Sequence, residues 1–221
     1  MITFSNRPSQ NDFVDDSASI INNGQQNLLV ITVDQLALAK PVLKSIWLLI
    51  TYPEISNLIL VPIYPSNQED AITSDLMLAQ TFAMTAQQTP RSEFLEPLRK
   101  KIYWDNYLIV DQKGVSSVLR ILHQFAEELP GKENQTNSIL LPQTGQEVDR
   151  SLENQVQIWN IVCLELSRIS KAGKMEDLIQ KISPYVRTNL LWEELSQQWS
   201  FEQPNDFQMG CEFPTLFLNS P

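Results

Sequence analysis

The chain has 221 residues, 43% of them hydrophobic, enough to fill one sizeable core. Against 26 Asp and Glu stand only 16 Lys and Arg, a formal net charge of -10, so the phosphate-neutralising face that nucleic-acid binding needs is missing and anionic lipid head groups would repel the surface. Two cysteines, Cys163 and Cys211, are too few for a disulfide framework and lack zinc or redox spacing, and the single histidine, His123, has no partner context for a metal or nucleophile site and is read as structural.

In chain order, residues 1–26 are rich in Asn, Asp, Ser and Gln, with too few apolar residues to bury, and read as a flexible lead-in without the charged-then-apolar layout of a signal. No run approaches the roughly 18 apolar residues of a membrane-spanning helix. Asn27 to Val33 (NLLVITV) has the composition of a strand covered on both faces, the central strand, and it ends at Asp34. Ser45 to Tyr52 and Leu58 to Tyr64 read as a strand pair joined by a short loop, with Pro62 putting the second at an edge or a bulge near its end.

Helical spacing of Leu76, Ala79, Phe82, Ala83 and Ala86 behind Ser74 predicts a helix over 75–86, and a second follows over 92–101, acidic at its start and basic at its end. Tyr107 to Val110 reads as a short strand ending at Asp111, and Gly114 introduces a helix whose apolar face includes Val118, Leu119 and Leu122. Residues 130–146 read as an exposed loop with one short strand at 139–141. Val148 to Ile169 is the longest periodic helix, with Trp159 and Cys163 on its apolar stripe and Gly173 as its cap, so Cys163 reads as core. Two more amphipathic helices run over 175–182 and 191–199. The organisation expected is a flexible segment at 1–26, one α/β domain at 27–203 and an irregular C-terminal tail at 204–221.

Open α/β sheets place ligands at the carboxyl ends of their strands, which makes Asp34 and Asp111 the carboxylates of interest. Paired there, they would suit a magnesium ion facing a phosphate; each is equally an ordinary turn residue. No Gly-rich phosphate loop, GxSxG elbow, HExxH or paired CxxC occurs. Trp47, Trp104, Tyr107 and Trp159 are expected in the core rather than around a ligand.

Several segments carry a resemblance. LLVITVDQL (Leu28 to Leu36) resembles the first strand of the LytR-CpsA-Psr (LCP) family, which ends in Gly-x-Asp-Ser, and puts Asp34 on the family aspartate. The hairpin SIWLLITYPEISNLILVPIYPS is similar to the family's paired strands around an Asn-Pro turn, with Pro53 keeping the turn. WDNYLIVDQKGVSSVLRIL (Trp104 to Leu122) resembles its strand, aspartate, Gly-containing turn and helix, and ISPYVRTNLLWEEL (Ile182 to Leu195) its closing elements. The resemblance spans about Asn27 to Trp199. It implies a three-layer α/β/α sandwich with a central mixed sheet, and it implies the family's activity, transfer of a glycopolymer from a polyprenyl pyrophosphate carrier to the cell wall.

The departures fall on charged positions. Where the family carries Arg-Ser-Asp-Thr this chain has Pro41 to Ser45, with Lys44 the one charge, and Pro-Arg-Asp is answered by Tyr64, Pro65 and Ser66. Of Asp-x-x-Arg-x-x-Arg-Gln, only Gln155 and an offset Asp149 and Arg150 remain. A pyrophosphate needs cationic donors to be held and to stabilise its leaving group. The expectation is therefore a catalytically degenerate LCP-like domain that binds a polyprenyl-phosphate-type lipid, an envelope polymer or a protein partner, without a required cofactor and without a confident metal site. The alternatives are a reduced active phosphotransferase using Asp34, Arg150 and Lys44 with magnesium, or a scaffold with no small-molecule site. The residues leave the compartment open: the resemblance implies an extracytoplasmic domain if the chain is a fragment of an anchored protein, and otherwise a soluble cytoplasmic one is expected.

Overall fold

The computed structural model describes residues 25–52, 55–66, 72–127, 152–171, 174–191 and 210–214. Its strands are β1 (Gln26–Val33), β2 (Leu43–Tyr52), β3 (Ile55–Tyr64), β4 (Asn106–Asp111), β5 (Val186–Thr188) and β6 (Gly210–Glu212), in the sheet order β5-β4-β1-β2-β3-β6. The sheet is mixed: β1 pairs with β2, β2 with β3 and β4 with β5 antiparallel, while β1 with β4 and β3 with β6 run parallel. The helices are α1 (Ile72–Thr81), α2 (Ser92–Arg99), α3 (Gln112–Glu127), α4 (Leu152–Lys171) and α5 (Met175–Ile182).

Side chains alternate across each strand, and here both sets are apolar, so both faces of the sheet must be covered. Leu29, Ile31 and Val33 point with Ile46 and Leu48 toward Phe82, Phe94 and Leu98, on the side of α1 and α2. Val30, Trp47, Leu49 and Leu60 point the other way, toward Leu122 of α3, Cys163 and Leu166 of α4 and Leu178 of α5. The result is the α/β/α sandwich expected, with β1 at its centre. Pro62 stands opposite Trp47 beside a register shift in the β2–β3 ladder, the bulge that a residue without an N–H favours.

The first helix differs from its reading. It ends at Thr81, because Met84 donates its N–H to the Ala39 carbonyl and bridges to Pro90, drawing residues after 82 into an extended turn. Leu76, expected against the sheet, is 56% exposed, and Phe82 is buried from the loop instead of a helical face. Gly210–Glu212, inside the stretch read as an irregular tail, forms β6, and Val186–Thr188 forms a strand that the sequence reading did not separate from its helices. Cys163 is in the core as expected, but it is also bonded to Cys211, so the two cysteines are paired after all. The loop at 130–146, the start of the long helix, its Gly173 cap, the helix over 192–199 and the lead-in before residue 25 lie outside the described residues.

Candidate functional site at the carboxyl edge of the sheet

Parallel pairing of β1 and β4 sets Val33 opposite Asp111, so Asp34 and Asp111 leave adjacent strands at the same edge. Each carboxylate organises the loop that follows it. Asp34 Oδ1 accepts N–H bonds from Gln35 and Val42, both at 2.7 Å, while its own N–H reaches the Val42 carbonyl at 3.0 Å, which closes the loop between β1 and β2. Asp111 Oδ1 accepts from the Gly114 N–H at 2.7 Å, the geometry of a residue capping the first turn of α3, and Oδ2 accepts from Leu36 N at 3.4 Å. Gly114 has to be glycine there: a Cβ would lie 2.7 Å from both the Tyr185 carbonyl oxygen and Val110 Cγ2.

These bonds consume acceptor capacity that a ligand would otherwise use. Lys44 sits half-buried at the irregularity of β2, where Thr32 pairs with Ser45 and Val33 with Leu43, and the ion pairs formed among the described residues, Arg168 with Glu165 and Lys174 with Asp177, lie on α4 and at α5. Arg150 and Asp149 lie outside the described residues. Tyr64, Pro65 and Ser66, at the corresponding end of β3, are held differently: the Ser66 N–H donates to Asp75 Oδ2 of α1 at 2.8 Å. Magnesium, which the active alternative requires, would meet two carboxylates already accepting backbone N–H groups. No group of three or more acidic, His or Cys residues able to hold a metal occurs among the described residues.

Gln155 is not at this edge. It lies on α4, 3% exposed, and its Oε1 accepts the Trp47 indole N–H at 2.6 Å, deep on the α3–α5 face. Trp47, Trp104 and Tyr107 are buried and Trp159 packs against the same core, as expected of core aromatics. His123 is half-buried on α3. Arg187 of β5, passed over in the sequence, faces Ile109 across the ladder; its Nε donates to Gln88 Oε1 at 2.6 Å and its Nη1 to the Val186 carbonyl at 2.9 Å. Gln88 adopts a left-handed backbone (φ 60°) in the turn after α1, and nothing in the local sequence signals that contact.

A cavity of about 200 Å³ opens at the opposite, amino end of β1 and β4, among Gln25, Asn27, Leu28, Leu49, Asp105 and Leu190. Its polar groups satisfy one another: Asn27 N–H donates to Asp105 Oδ2 at 2.8 Å, Asn27 Nδ2 to the Tyr103 carbonyl at 3.1 Å, and Gln25 Nε2 to Asn27 Oδ1 at 2.8 Å. The Tyr103 hydroxyl donates to Asp105 Oδ1 at 2.7 Å, and that bond, with the carboxylate's charge, raises the Tyr103 pKa.

The strand order and the two helical layers define a three-layer α/β/α sandwich that resembles the LCP fold. No family model and no characterised protein matches the chain by sequence. Solved structures match it by shape: TagV of B. subtilis, 14% identical, covers 86% of this chain and 85% of its own with a TM-score of 0.50. The protein gbs0355 of Streptococcus agalactiae, 12% identical, covers 88% of this chain and 78% of its own, also at 0.50. At these identities what is shared is the fold.

Proposed function

We propose that this chain is an LCP-like, envelope-associated domain that has lost phosphotransfer chemistry and acts by binding, to a polyprenyl-phosphate-type lipid or to a protein partner. The observation that carries this reading is the use made of Asp34 and Asp111: their oxygens close the β1–β2 loop and cap α3. Beside them the family's arginine positions are taken by uncharged residues at Pro41 to Ser45 and Tyr64 to Ser66, Lys44 excepted. One lysine is a poor replacement for arginines that grip a pyrophosphate with two parallel bonds each. The fold shared with TagV supports an envelope setting, hence an extracytoplasmic location; no helix among the described residues is long and apolar enough to cross a membrane.

The cavity beside Asn27 and Asp105 favours a second reading, a scaffold domain without a small-molecule site, because its polar groups already satisfy one another. Two measurements separate the readings. Incubation with a polyprenyl pyrophosphate and magnesium is expected to release no phosphate; turnover that disappears in Asp34→Ala would show an active enzyme and sink the degenerate reading. Native mass spectrometry after addition of polyprenyl phosphate then decides the ligand: a bound lipid supports the lipid site, and no uptake supports the scaffold.

A further inference from the structure

Strand β6 and helix α4 are joined through Cys163 and Cys211, whose Cα atoms are 6.0 Å apart with 48 residues of sequence separation, inside the range a disulfide spans. β6 has only three residues, paired to Asn57, Leu58 and Ile59 of β3. Directly after it, Phe213 is 5% exposed, its ring edge-to-face with Trp47 at 6.1 Å, and Trp47 meets Trp159 in the same way at 6.2 Å. Beneath them the Gln155 amide nitrogen is buried without a partner. A three-residue ladder is weak restraint, and segments held by so few bonds open first. The covalent link to α4 therefore does what the ladder cannot.

We propose that the Cys163–Cys211 disulfide is a redox latch: closed, it fixes β6 and Phe213 over the Trp47–Trp159 pair; reduced, it lets them swing away and uncovers that aromatic face and the Gln155 amide. Closing is a thiol–disulfide exchange with the disulfide of an oxidant. The two cysteine thiols lose two electrons and two protons, an S–S bond forms between them, and the oxidant's own disulfide breaks and leaves as two thiols. Exchange begins at Cys211, which is half-buried, since Cys163 is 2% exposed. In the closed arrangement the Cys211 sulfur lies 3.3 Å from the Trp159 carbonyl oxygen, a contact that opening breaks. Disulfides persist in oxidising compartments, so the latch is closed outside the cytoplasm.

The test uses the full chain equilibrated with oxidised glutathione, denatured and treated with N-ethylmaleimide. No labelled thiol is expected, and two after dithiothreitol; two labels, or glutathione adducts, before reduction would overturn the bond. Hydrogen exchange in the folded protein then reads the latch. Peptides containing residues 210–213 should exchange at least about tenfold faster in the reduced protein and in the Cys163→Ser/Cys211→Ser variant than in the oxidised one, with β1 unchanged. Equal exchange in both states, or a rise in β1 as large as that in β6, would overturn the proposal, the first because nothing opens and the second because the whole domain does.

Discussion

Each face of the sheet buries a tryptophan, and the two are treated differently. Trp104, packed with Phe94, Leu98 and Tyr107 on the α1–α2 side, is 4% exposed; its indole N–H has no partner, and Arg99 lies over its ring at 5.2 Å. Trp47, on the α3–α5 side, is 1% exposed and spends its N–H on Gln155, itself buried. Around Trp104 the fold relies on carbon packing and a surface cation. Around Trp47 it has drawn in a polar side chain, the buried Gln155 amide of α4, together with the disulfide. A buried polar group holds its neighbours in one arrangement only if it is satisfied, and it makes the loss of either partner expensive. The α3–α5 face is therefore the more specifically assembled of the two.

The largest expected effect follows from that contrast. Trp47→Ala removes a fully buried ring and strands Gln155, and should cost about 3–5 kcal/mol in urea unfolding, as large aromatic truncations do. The sharper comparison uses phenylalanine at both sites. Trp47→Phe keeps most of the ring but leaves the Gln155 side chain wholly unpaired, and should cost about 1–3 kcal/mol. Trp104→Phe removes an N–H that was never satisfied, so beyond lost ring contacts and the Arg99 interaction it should cost less than Trp47→Phe, within about 1 kcal/mol. Equal losses at the two sites would break the distinction between the faces.

How much of this was readable in advance depended on the range of the interaction. β1, the β2–β3 hairpin and the β4–α3 unit were legible because NLLVITV, SIWLLITY and YLIV are continuous apolar runs whose pattern is local. α1 was overextended because Phe82 and Ala83 continue the helical spacing, while the contact that ends the helix comes from Ala39, far back in the chain. β5 and β6, three residues each, fall below any periodic signal, and the partners of Gln155 and of Cys163 are set by distance in space. Asp34 was placed correctly at the edge; that its Oδ1 would accept from both Gln35 and Val42 is a property of the loop's path.

Between the two faces, at the start of α3, Gly114 offers a medium effect. Alanine would normally gain helix propensity at such a position, but its Cβ would be 2.7 Å from the Tyr185 carbonyl, which is backbone and cannot step aside like a side chain. Gly114→Ala should therefore destabilise by about 1–3 kcal/mol, the usual cost of overpacking, and also loosen the Asp111 cap by displacing the Gly114 N–H from Oδ1. A stabilised variant would show that α3 can shift away from Tyr185, and that the edge carrying Asp34 and Asp111 is softer than its hydrogen bonds imply.

The smallest effect lies on the α1–α2 face and appears only in alkali. Tyr107 is 8% exposed, and burial raises its pKa above the ordinary 10.0 by penalising the phenolate. A folded pKa above the unfolded one means that the unfolded chain loses the proton first. The stability tied to the neutral hydroxyl is thus fully present below about pH 10 and is lost as pH rises through the folded pKa. Comparing urea midpoints of the native protein and Tyr107→Phe from pH 8.5 upward separates this group from every other that titrates in alkali. The native protein should lose more stability than the variant as pH rises above about 10. Parallel curves would mean that solvent reaches the hydroxyl, and that the carbon-packed face is the looser one at that end.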